Sequence, residues 1–386
     1  MTPTNSTALR YAFAGMVAMA VAMGIGRFVY TPILPGMMEE LHLSPANAGW
    51  IASANYLGYL VGALVAAGGW AHRRERVLML AGLGASTVLV ALMGLSDTMV
   101  AFLAIRFLAG LASAFVMVFM ASIVFSHIAA AGRGDLQAWH FGGVGLGIAT
   151  SAVMMALLVT EHAGWASGWL WSAAISAVGF VVVALLVNEG PIAYGEDARE
   201  AALPRNRALT KVILAYGLFG FGYVVTATFL VAIVRQGGGS RVFEAMVWMV
   251  AGLAGFPSVW LWQKIAARTG LYAAYALSCF VEVVGVTASV ALGGYVGPLL
   301  GGLLLGGTFI AITALGLQAA RQQAPGAPRR VFALMTASFG LGQIIGPVVA
   351  GLLAQASGDF FLASIVAAAM LVLSGVITWS AAPKSP

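Results

Sequence analysis

Arg27, Arg106 and Glu282 each interrupt a long apolar stretch of the sequence. An ionised side chain at the centre of a membrane helix costs at least ~2.5 kcal/mol unless it faces protein or water, so each of the three needs a partner or a function. A guanidinium binds a carboxylate, sulfonate or phosphate through two parallel hydrogen bonds. The two arginines therefore predict a site for an organic anion. The acid predicts either a proton carrier or a neutral residue hydrogen-bonded to a neighbouring helix.

The two arginines are predicted to lie at one depth in the membrane. The first apolar run is expected to end near Pro35, eight residues after Arg27, and the fourth to begin near Thr98, eight residues before Arg106. At ~1.5 Å per residue, both would lie about 12 Å below the same surface. No acidic residue falls within the predicted spans of that half, so we expect two cations without an anion. The competing interpretation is that Arg106 binds main-chain carbonyls and that Arg27 extends to the interface.

The composition places these residues in a polytopic all-α membrane protein. Of 386 residues, 61% are hydrophobic and only 8% are charged, whereas a soluble domain has about 25% charged residues. A nucleic-acid-binding domain is excluded on the same ground, despite the net charge of +6. Twelve apolar segments are long enough to cross a hydrocarbon core of about 30 Å. They are predicted at 11–35, 46–70, 77–96, 98–126, 138–160, 165–187, 209–234, 243–263, 271–292, 296–319, 330–356 and 360–381.

The basic residues predict the orientation of the chain. With both ends in the cytoplasm, 15 of the 19 Lys and Arg residues lie inside, two lie outside, and two lie within spans. We therefore expect a multi-pass protein of the bacterial inner membrane with cytoplasmic N and C termini. The longest polar stretch divides the chain into an N-terminal six-helix bundle at 1–190, a cytoplasmic linker at 191–208 and a C-terminal six-helix bundle at 209–386.

The two halves are weakly similar to each other. The sequence GIGRF at 24–28 corresponds to GFGYV at 220–224 with an offset of 196, and Gly143 and Gly145 correspond to Gly340 and Gly342 with an offset of 197. Nearly equal offsets at two distant places predict a tandem duplication, in which each half needs the other to build a central path. The repeat places Tyr223 at the position that Arg27 occupies in the first half.

Several motifs resemble those of the major facilitator superfamily. The fourth span carries RFLAGLASA at 106–114, which resembles the Arg-x-x-x-Gly motif of the fourth helix in that superfamily. The eleventh span carries GQIIGPVVAG at 342–351, which is similar to an antiporter-type motif usually placed in the fifth helix. The resemblance implies two pseudo-symmetric six-helix bundles, alternating access, and a cavity lined by helices 1, 4, 7 and 10.

The loop after the second span resembles the signature loop of that superfamily but departs from it. It has GGWAHRRER at 68–76, where the signature is Gly-x-x-x-Asp-Arg-x-Gly-Arg. His72 replaces the Asp that normally ties the two halves together, which puts the usual charge-relay gate in doubt. The candidate gating residues are Gly68, His72, Arg73 and Arg76.

A narrower resemblance is to the YbfB/YjiJ-type branch. It is carried by GIGRFVYTPILP at 24–35, NYLGY at 55–59, HFGGVG at 140–145 and TFIAIT at 308–313. The substrates of this branch are mostly undefined, so the resemblance brings little chemistry. In this fold helix 9 supports the bundle from outside the cavity. Glu282 would therefore lie away from the cavity, which speaks against a role in proton coupling, but it stays a candidate for that role.

Further polar side chains complete the candidate binding site. Ser, Thr and Asn also join membrane helices at ordinary interfaces, so packing is the competing interpretation for each polar residue. The candidate substrate-binding residues are Arg27, Arg106, Tyr30, Asn55, Tyr59, Tyr223, Thr226, Thr313 and Gln343.

The leading function is a secondary active transporter for a small organic anion, and the alternative is a proton-coupled exporter of lipophilic drugs or metabolites. An enzyme is not expected, because the five histidines and the single Cys279 form no catalytic or metal-binding set. The sequence has no Gly-x-x-x-x-Gly-Lys motif, so we do not expect ATP as the energy source. We expect a monomer in the lipid bilayer that binds a small-molecule substrate, with a proton as a candidate coupling ion and with no cofactor, metal or nucleic acid.

Overall fold

The computed structural model describes residues 5–68, 70–161, 163–191 and 202–382. Within them, twelve helices are long and apolar enough to cross a membrane, which confirms the predicted number. The helices are α1 Asn5–Glu40, α2 Pro45–Ala66, α3 Glu75–Gly94, α4 Met99–Ala130, α5 Gln137–Thr160, α6 Trp165–Leu186, α7 Arg207–Gln236, α8 Arg241–Thr269, α9 Leu271–Ala291, α10 Val296–Gln323, α11 Pro328–Ser357 and α12 Phe361–Trp379.

Several helices are longer than the apolar runs that predict them. The helix α1 continues to Glu40 although its span was predicted to end at residue 35, and α4 continues to Ala130. Apolar runs reflect the thickness of the bilayer, whereas a helix continues for as long as its backbone remains hydrogen-bonded. As a result two acids, Glu39 and Glu40, belong to α1. Residues 192–201 of the predicted linker lie outside the described residues.

The twelve crossings place both described ends of the chain on one side. We call this side the terminal face and the opposite side the far face. Helices α1, α3, α5, α7, α9 and α11 run from the terminal face to the far face, and the other six return. The first six and last six helices form two groups that meet along two seams, α2 against α11 and α5 against α8.

Close backbone contacts hold both seams together. A Cβ on Gly252 of α8 would lie 2.4 Å from the nitrogen of Ala149 on α5, and one on Gly49 of α2 would lie 2.2 Å from the carbonyl oxygen of Pro347 on α11. Each seam also has a hydrogen bond. The Ser53 hydroxyl donates to the Ile344 carbonyl (2.7 Å) in one seam, and in the other the Trp248 indole donates to the Ser151 hydroxyl (3.2 Å). The glycines must remain small because the backbones touch.

The glycine motif of α11 packs against two partners at once. A Cβ on Gly342 would lie 2.1 Å from the Gly217 carbonyl oxygen on α7, while one on Gly351 would lie 2.4 Å from the Pro45 carbonyl oxygen on α2. In the first half, α5 in the same way packs on α1 within its own bundle and on α8 across the seam. The paired arrangement is the one that a duplication predicts.

The first helix is not a continuous α-helix. A π-helical segment, Ala20–Ile25, separates Asn5–Met19 from Tyr30–Glu40. In it the Gly26 amide donates to the Val21 carbonyl (2.7 Å), five residues earlier. Such widened turns are rare and occur often at functional sites. The widened turn lies immediately before Arg27 and adjusts how the following residues face the neighbouring helices.

Candidate functional site

Arg106 binds the backbone of α1 directly after the π-helical segment. Its Nη1 donates to the Gly26 carbonyl and its Nη2 to the Arg27 carbonyl, each at 3.0 Å. The side chain is only 2% exposed. The two arginines therefore lie at one level, as predicted. These contacts are those of the competing interpretation, because two of the three guanidinium nitrogens of Arg106 bind main-chain oxygens. The role of Arg106 as an anion ligand stays a prediction.

Tyr30 and Asn55 also connect helices of the first bundle. The Tyr30 hydroxyl donates to the Ala48 carbonyl of α2 (2.9 Å), and its ring centroid lies 5.2 Å from the Arg106 guanidinium carbon. The Asn55 amide nitrogen donates to the Arg106 carbonyl (3.0 Å), whereas its oxygen Oδ1 is buried without a hydrogen-bond partner. Like Arg106, Tyr30 holds α1 in place, and Asn55 joins α2 to α4.

Arg27 has a different environment. Its guanidinium lies over the rings of Tyr56 and Tyr59, 4.4 and 4.5 Å from their centroids. Its Nε and Nη2 are buried and have no hydrogen-bond partner, and the residue is 3% exposed. Among the described residues no carboxylate lies within ion-pair distance of it. Arg27 is therefore a buried cation held by aromatic faces, with two donors free to bind an anion.

Tyr223 of α7 lies on the side of the second bundle that faces Arg27. The Tyr223 ring lies parallel to that of Phe309, which in turn meets the ring of Phe28, the residue next to Arg27. The Tyr223 hydroxyl accepts a hydrogen bond from the Gln343 side-chain nitrogen. The Gln343 oxygen Oε1 is buried without a partner. The structure thus brings Arg27, Tyr59, Tyr223 and Gln343 of the predicted site together at the junction of the bundles.

The two threonines of the predicted site differ in whether their hydroxyl groups are already hydrogen-bonded. Thr226 is buried on α7, and its hydroxyl has no hydrogen-bond partner. The Thr313 hydroxyl donates to the Phe309 carbonyl of its own helix (2.9 Å), and its main-chain carbonyl accepts from the Tyr216 hydroxyl (3.2 Å). Thr313 therefore stabilises the contact between α10 and α7.

A column of aromatic rings fills the second bundle beside Tyr223. The rings of Phe309 and Phe339 lie 8° and 3° from parallel to the Tyr223 ring, both with centroids 5.7 Å away. Phe219 and Tyr216 extend the column along α7 toward the terminal face. We call these five residues the aromatic column. Sequence reasoning missed it, although the spacing of residues 216, 219 and 223 places them on one helical face.

A cavity of about 310 Å³ opens between the bundles at the terminal face. We call it the vestibule. It ends near Ala314 of α10, five residues and thus about 7.5 Å along the helix from Phe309. Its walls come from α4, α5, α8, α10 and α11, and include Met117, Phe125, Phe141, Gln318, Arg321 and Phe332.

The far face is closed by contacts between the bundles. Arg235 at the end of α7 binds Glu39 at the end of α1 (2.7 Å) and forms a two-pronged ion pair with Glu244 of α8. Arg241 lies 3.6 Å from Glu39. Deeper, the Thr31 hydroxyl of α1 donates to the Ala227 carbonyl of α7 (2.5 Å). With its vestibule on the other side, the molecule is closed at the far face and open at the terminal face.

The predicted gating loop lies at the terminal face. The Arg76 side chain donates to the Val187 carbonyl after α6 (2.6 Å), so it binds within its own bundle. His72 and Arg73 are exposed, Gly68 lies in the turn directly after α2, and Arg73 has φ 63°. His72 and Arg329 of α11 line one cavity, so the loop still faces the second bundle without the usual Asp.

Glu282 is enclosed within the second bundle. It is 0% exposed, and its Oε2 accepts a hydrogen bond from the Thr308 hydroxyl of α10 (3.0 Å). Its Oε1 has no hydrogen-bond partner. Thr308 directly precedes Phe309 of the aromatic column. Glu282 therefore lies outside the central junction but one contact away from a helix that lines it.

Two bundles of membrane helices, closed on one face and open on the other around a buried central site, define a transporter with the fold of the major facilitator superfamily. The chain belongs to the family described as "Uncharacterised MFS-type transporter YbfB", whose model matches residues 19–379. It is therefore a multi-pass membrane protein of a transporter family.

Similarity to individual proteins is more limited. A segment of 94 residues is 33% identical to the uncharacterized MFS-type transporter YceJ of Bacillus subtilis (strain 168). The match covers 24% of this chain and 24% of that relative. Two crystal structures of the nucleoside transporter NupG, one of a point mutant and one without that mutation, superimpose with TM-scores of 0.75 and 0.73. They cover 97% of this chain and 99% and 98% of theirs, at 13% and 15% identity, so they share its fold.

The different environments of the two arginines predict opposite effects on stability. Arg106→Met leaves the carbonyls of Gly26 and Arg27 unpaired, at about 1–3 kcal/mol each, and should lower the Tm in detergent. Arg27→Met removes a buried cation that has no hydrogen bonds, and should leave the Tm unchanged or raise it. The two substitutions delete the same side chain at one level of the fold, so equal losses of Tm would contradict the assigned roles.

The ion pairs at the far face predict a second measurable effect. Glu39→Gln should weaken the closed far face, and so increase the rate at which a membrane-impermeant maleimide labels a Thr31→Cys variant. The native Cys279 is buried and gives little background. Glu40→Gln is the matched control, because Glu40 binds the Trp165 amide of its own bundle. Equal labelling rates in the Glu39 and Glu40 variants would refute this closure.

Proposed function

We propose that the protein is a secondary active transporter that moves a small organic anion across the bacterial inner membrane by alternating access. The observation that carries the proposal is Arg27, a buried cation with two unpaired donors at the junction of the bundles. A desolvated, unpaired cation is unfavourable. A ligand carboxylate, sulfonate or phosphate would remove that cost and form charge-assisted hydrogen bonds.

In this proposal Arg27 is the anion ligand and Arg106 is a positioning residue. Arg106 fixes the main chain of Arg27 itself, so it determines where the ligand-binding guanidinium lies. Tyr59 and Tyr223 border the bound anion, and Thr226 and Gln343 supply buried polar atoms that still lack partners. No cofactor or metal takes part in this scheme, and one polypeptide supplies all these groups.

The orientation of the chain follows from its basic residues. With both ends in the cytoplasm, the terminal face is cytoplasmic and the vestibule opens inward. The ion pairs around Arg235 then close the periplasmic side. The predicted division into a bundle at 1–190, a linker at 191–208 and a bundle at 209–386 is retained, with each bundle moving as a unit about the central site.

The alternative is a proton-coupled exporter of lipophilic drugs or metabolites. The aromatic column and the largely apolar vestibule favour it, since such surfaces accept varied hydrophobic compounds. Lipophilic cations are disfavoured, however, because Arg27 presents an uncompensated positive charge at the junction. The likeness to NupG is one of fold, and an uncharged nucleoside would leave that charge unpaired.

The proposal is tested by binding and counterflow measurements on the purified protein. Acetate, benzoate, methanesulfonate, glycerol phosphate, uridine and tetraphenylphosphonium form the probe panel. We expect at least one anion to bind, and Arg27→Gln to weaken it by about tenfold to a hundredfold, the value of a charge-assisted pair. Arg27→Lys should restore part of the affinity as a point charge.

The control for this experiment is Arg268→Gln, which removes an exposed arginine at the end of α8. It should bind the anion as the unmodified protein does. Binding of tetraphenylphosphonium or uridine alone, or unaltered anion affinity in both Arg27 variants, would contradict the proposal.

We further propose Glu282 as the group that carries a coupling proton. It is a mid-helix carboxyl hydrogen-bonded to α10, and buried acids in membrane helices often serve proton relays. Glu282→Gln retains an acceptor for Thr308 but cannot exchange a proton. We expect this variant to keep counterflow activity and to lose the acceleration produced by an imposed pH gradient. An unchanged response to the gradient would assign Glu282 to packing alone.

A further inference from the structure

The aromatic column places flat rings, most of them buried against one another in this closed central region, on the side of the junction opposite the unpaired guanidinium. The Tyr223, Phe309 and Phe339 rings lie close to parallel on three different helices. Parallel offset rings favour another flat ring over an aliphatic group of equal size, because ring quadrupoles add to the apolar contact. The column therefore has the geometry of a surface that recognises planar molecules.

Phe28 connects this surface to Arg27. The Phe28 ring meets the edge of Phe309 at 75°, with centroids 5.7 Å apart, and the Arg27 guanidinium carbon lies 5.7 Å from the centroid of the Phe28 ring. Since Arg27 and Phe28 are consecutive, the π-helical segment that places one also places the other. The cation and the aromatic surface are thus neighbours across the junction of the bundles.

The charged residues around the junction favour a ligand with a negative charge over one with a positive charge. Arg27 has two buried donors without partners, and Gln343 and Thr226 add buried polar atoms nearby on the second bundle. Within the described part of the chain, no carboxylate lies within ion-pair distance of Arg27. The carboxyl group of Glu282 is engaged with Thr308, outside the junction. An aromatic cation would meet the guanidinium without a counter-charge, whereas an aromatic anion would pair with it.

The vestibule has suitable size and lining for such a ligand to pass. Its volume of about 310 Å³ lies at the lower end of the range of small-molecule sites, roughly 300–1,000 Å³. Phe125, Phe141 and Phe332 line it together with Met117. Aromatic side chains thus line the entrance at the terminal face, on the same side of the molecule toward which the column extends, and Arg321 adds positive charge there.

We infer that the transported anion is a flat aromatic carboxylate, whose carboxyl group binds Arg27 while its ring lies against the aromatic column. This inference rests on the proposed transport of an organic anion and specifies its substrate class. Both parts of the ligand are needed, because Arg27 belongs to the first bundle and the column to the second.

Four probes separate the two parts of the ligand. Benzoate has the ring and the charge, cyclohexanecarboxylate has the charge without the flat ring, and benzamide and benzylammonium have the ring without the negative charge. Calorimetry on the purified full-length protein should show benzoate binding about fivefold more tightly than cyclohexanecarboxylate, the scale of one aromatic pair. Benzamide and benzylammonium should bind at least about tenfold more weakly than benzoate.

Variants assign each preference to its residue. Phe309→Leu should abolish the preference for benzoate over cyclohexanecarboxylate while both still bind, and Phe309→Tyr, which keeps the ring, should restore it. Arg27→Gln should weaken both carboxylates. Phe13→Leu is the matched control, since Phe13 is 42% exposed on the surface of α1 and should leave the preference unchanged.

The possible results distinguish this inference from the function on which it rests. Equal affinity for benzoate and cyclohexanecarboxylate, with both weakened in Arg27→Gln, would overturn the aromatic substrate class and leave anion transport standing. Benzamide or benzylammonium binding as tightly as benzoate would overturn both. Absence of binding by all four probes would overturn the aromatic inference, while the acetate, sulfonate and phosphate probes would still test the anion site.

Discussion

The hydrogen bonds from Arg106 to the first helix are the constraint on which the central site depends. The π-helical segment displaces the main chain of α1 at Gly26 and Arg27, and two nitrogens of Arg106 bind the carbonyls there. Because one of those carbonyls belongs to Arg27, the contact fixes the residue whose side chain reaches the junction. Two buried arginines at one level therefore have different roles. Arg106 donates hydrogen bonds to main-chain carbonyls, whereas Arg27 keeps two donors without a partner.

The sequence left two interpretations of the arginines open and could not decide between them, although it did predict that the two residues lie at one level. Hydropathy and spacing predict where each arginine lies along its helix, because the rise per residue is constant. They do not reveal that α1 changes to a π-helical register at residues 20–25, and that change brings its carbonyls to Arg106. The glycines of α11 are the opposite case. Their repeat spacing predicts close helix packing, and the structure places them on α7 and α2.

The closure of the far face depends on residues that the predicted spans excluded. Glu39 lies beyond residue 35, so no sequence pattern paired it with Arg235, which is distant in the chain. The Glu39 and Arg235 side chains are 49% and 22% exposed, and exposed ion pairs contribute only about 0–1 kcal/mol. A weak contact of this kind suits the proposed alternating access, in which this closure opens in each cycle while the buried Glu244 keeps Arg235 in position.

The central site is asymmetric. At the positions that the predicted repeat makes equivalent, the first bundle has Arg27 and the second has Tyr223, so one side of the junction has a charge and the other has flat aromatic rings. A ligand with a charged end and a flat body, as proposed, would contact both bundles at once. A ligand with only one of these features would contact a single bundle and would gain no further contact when the bundles approach each other. Binding energy that depends on both halves would let the proposed ligand shift the balance between the two conformations of alternating access, since only differential affinity can do so.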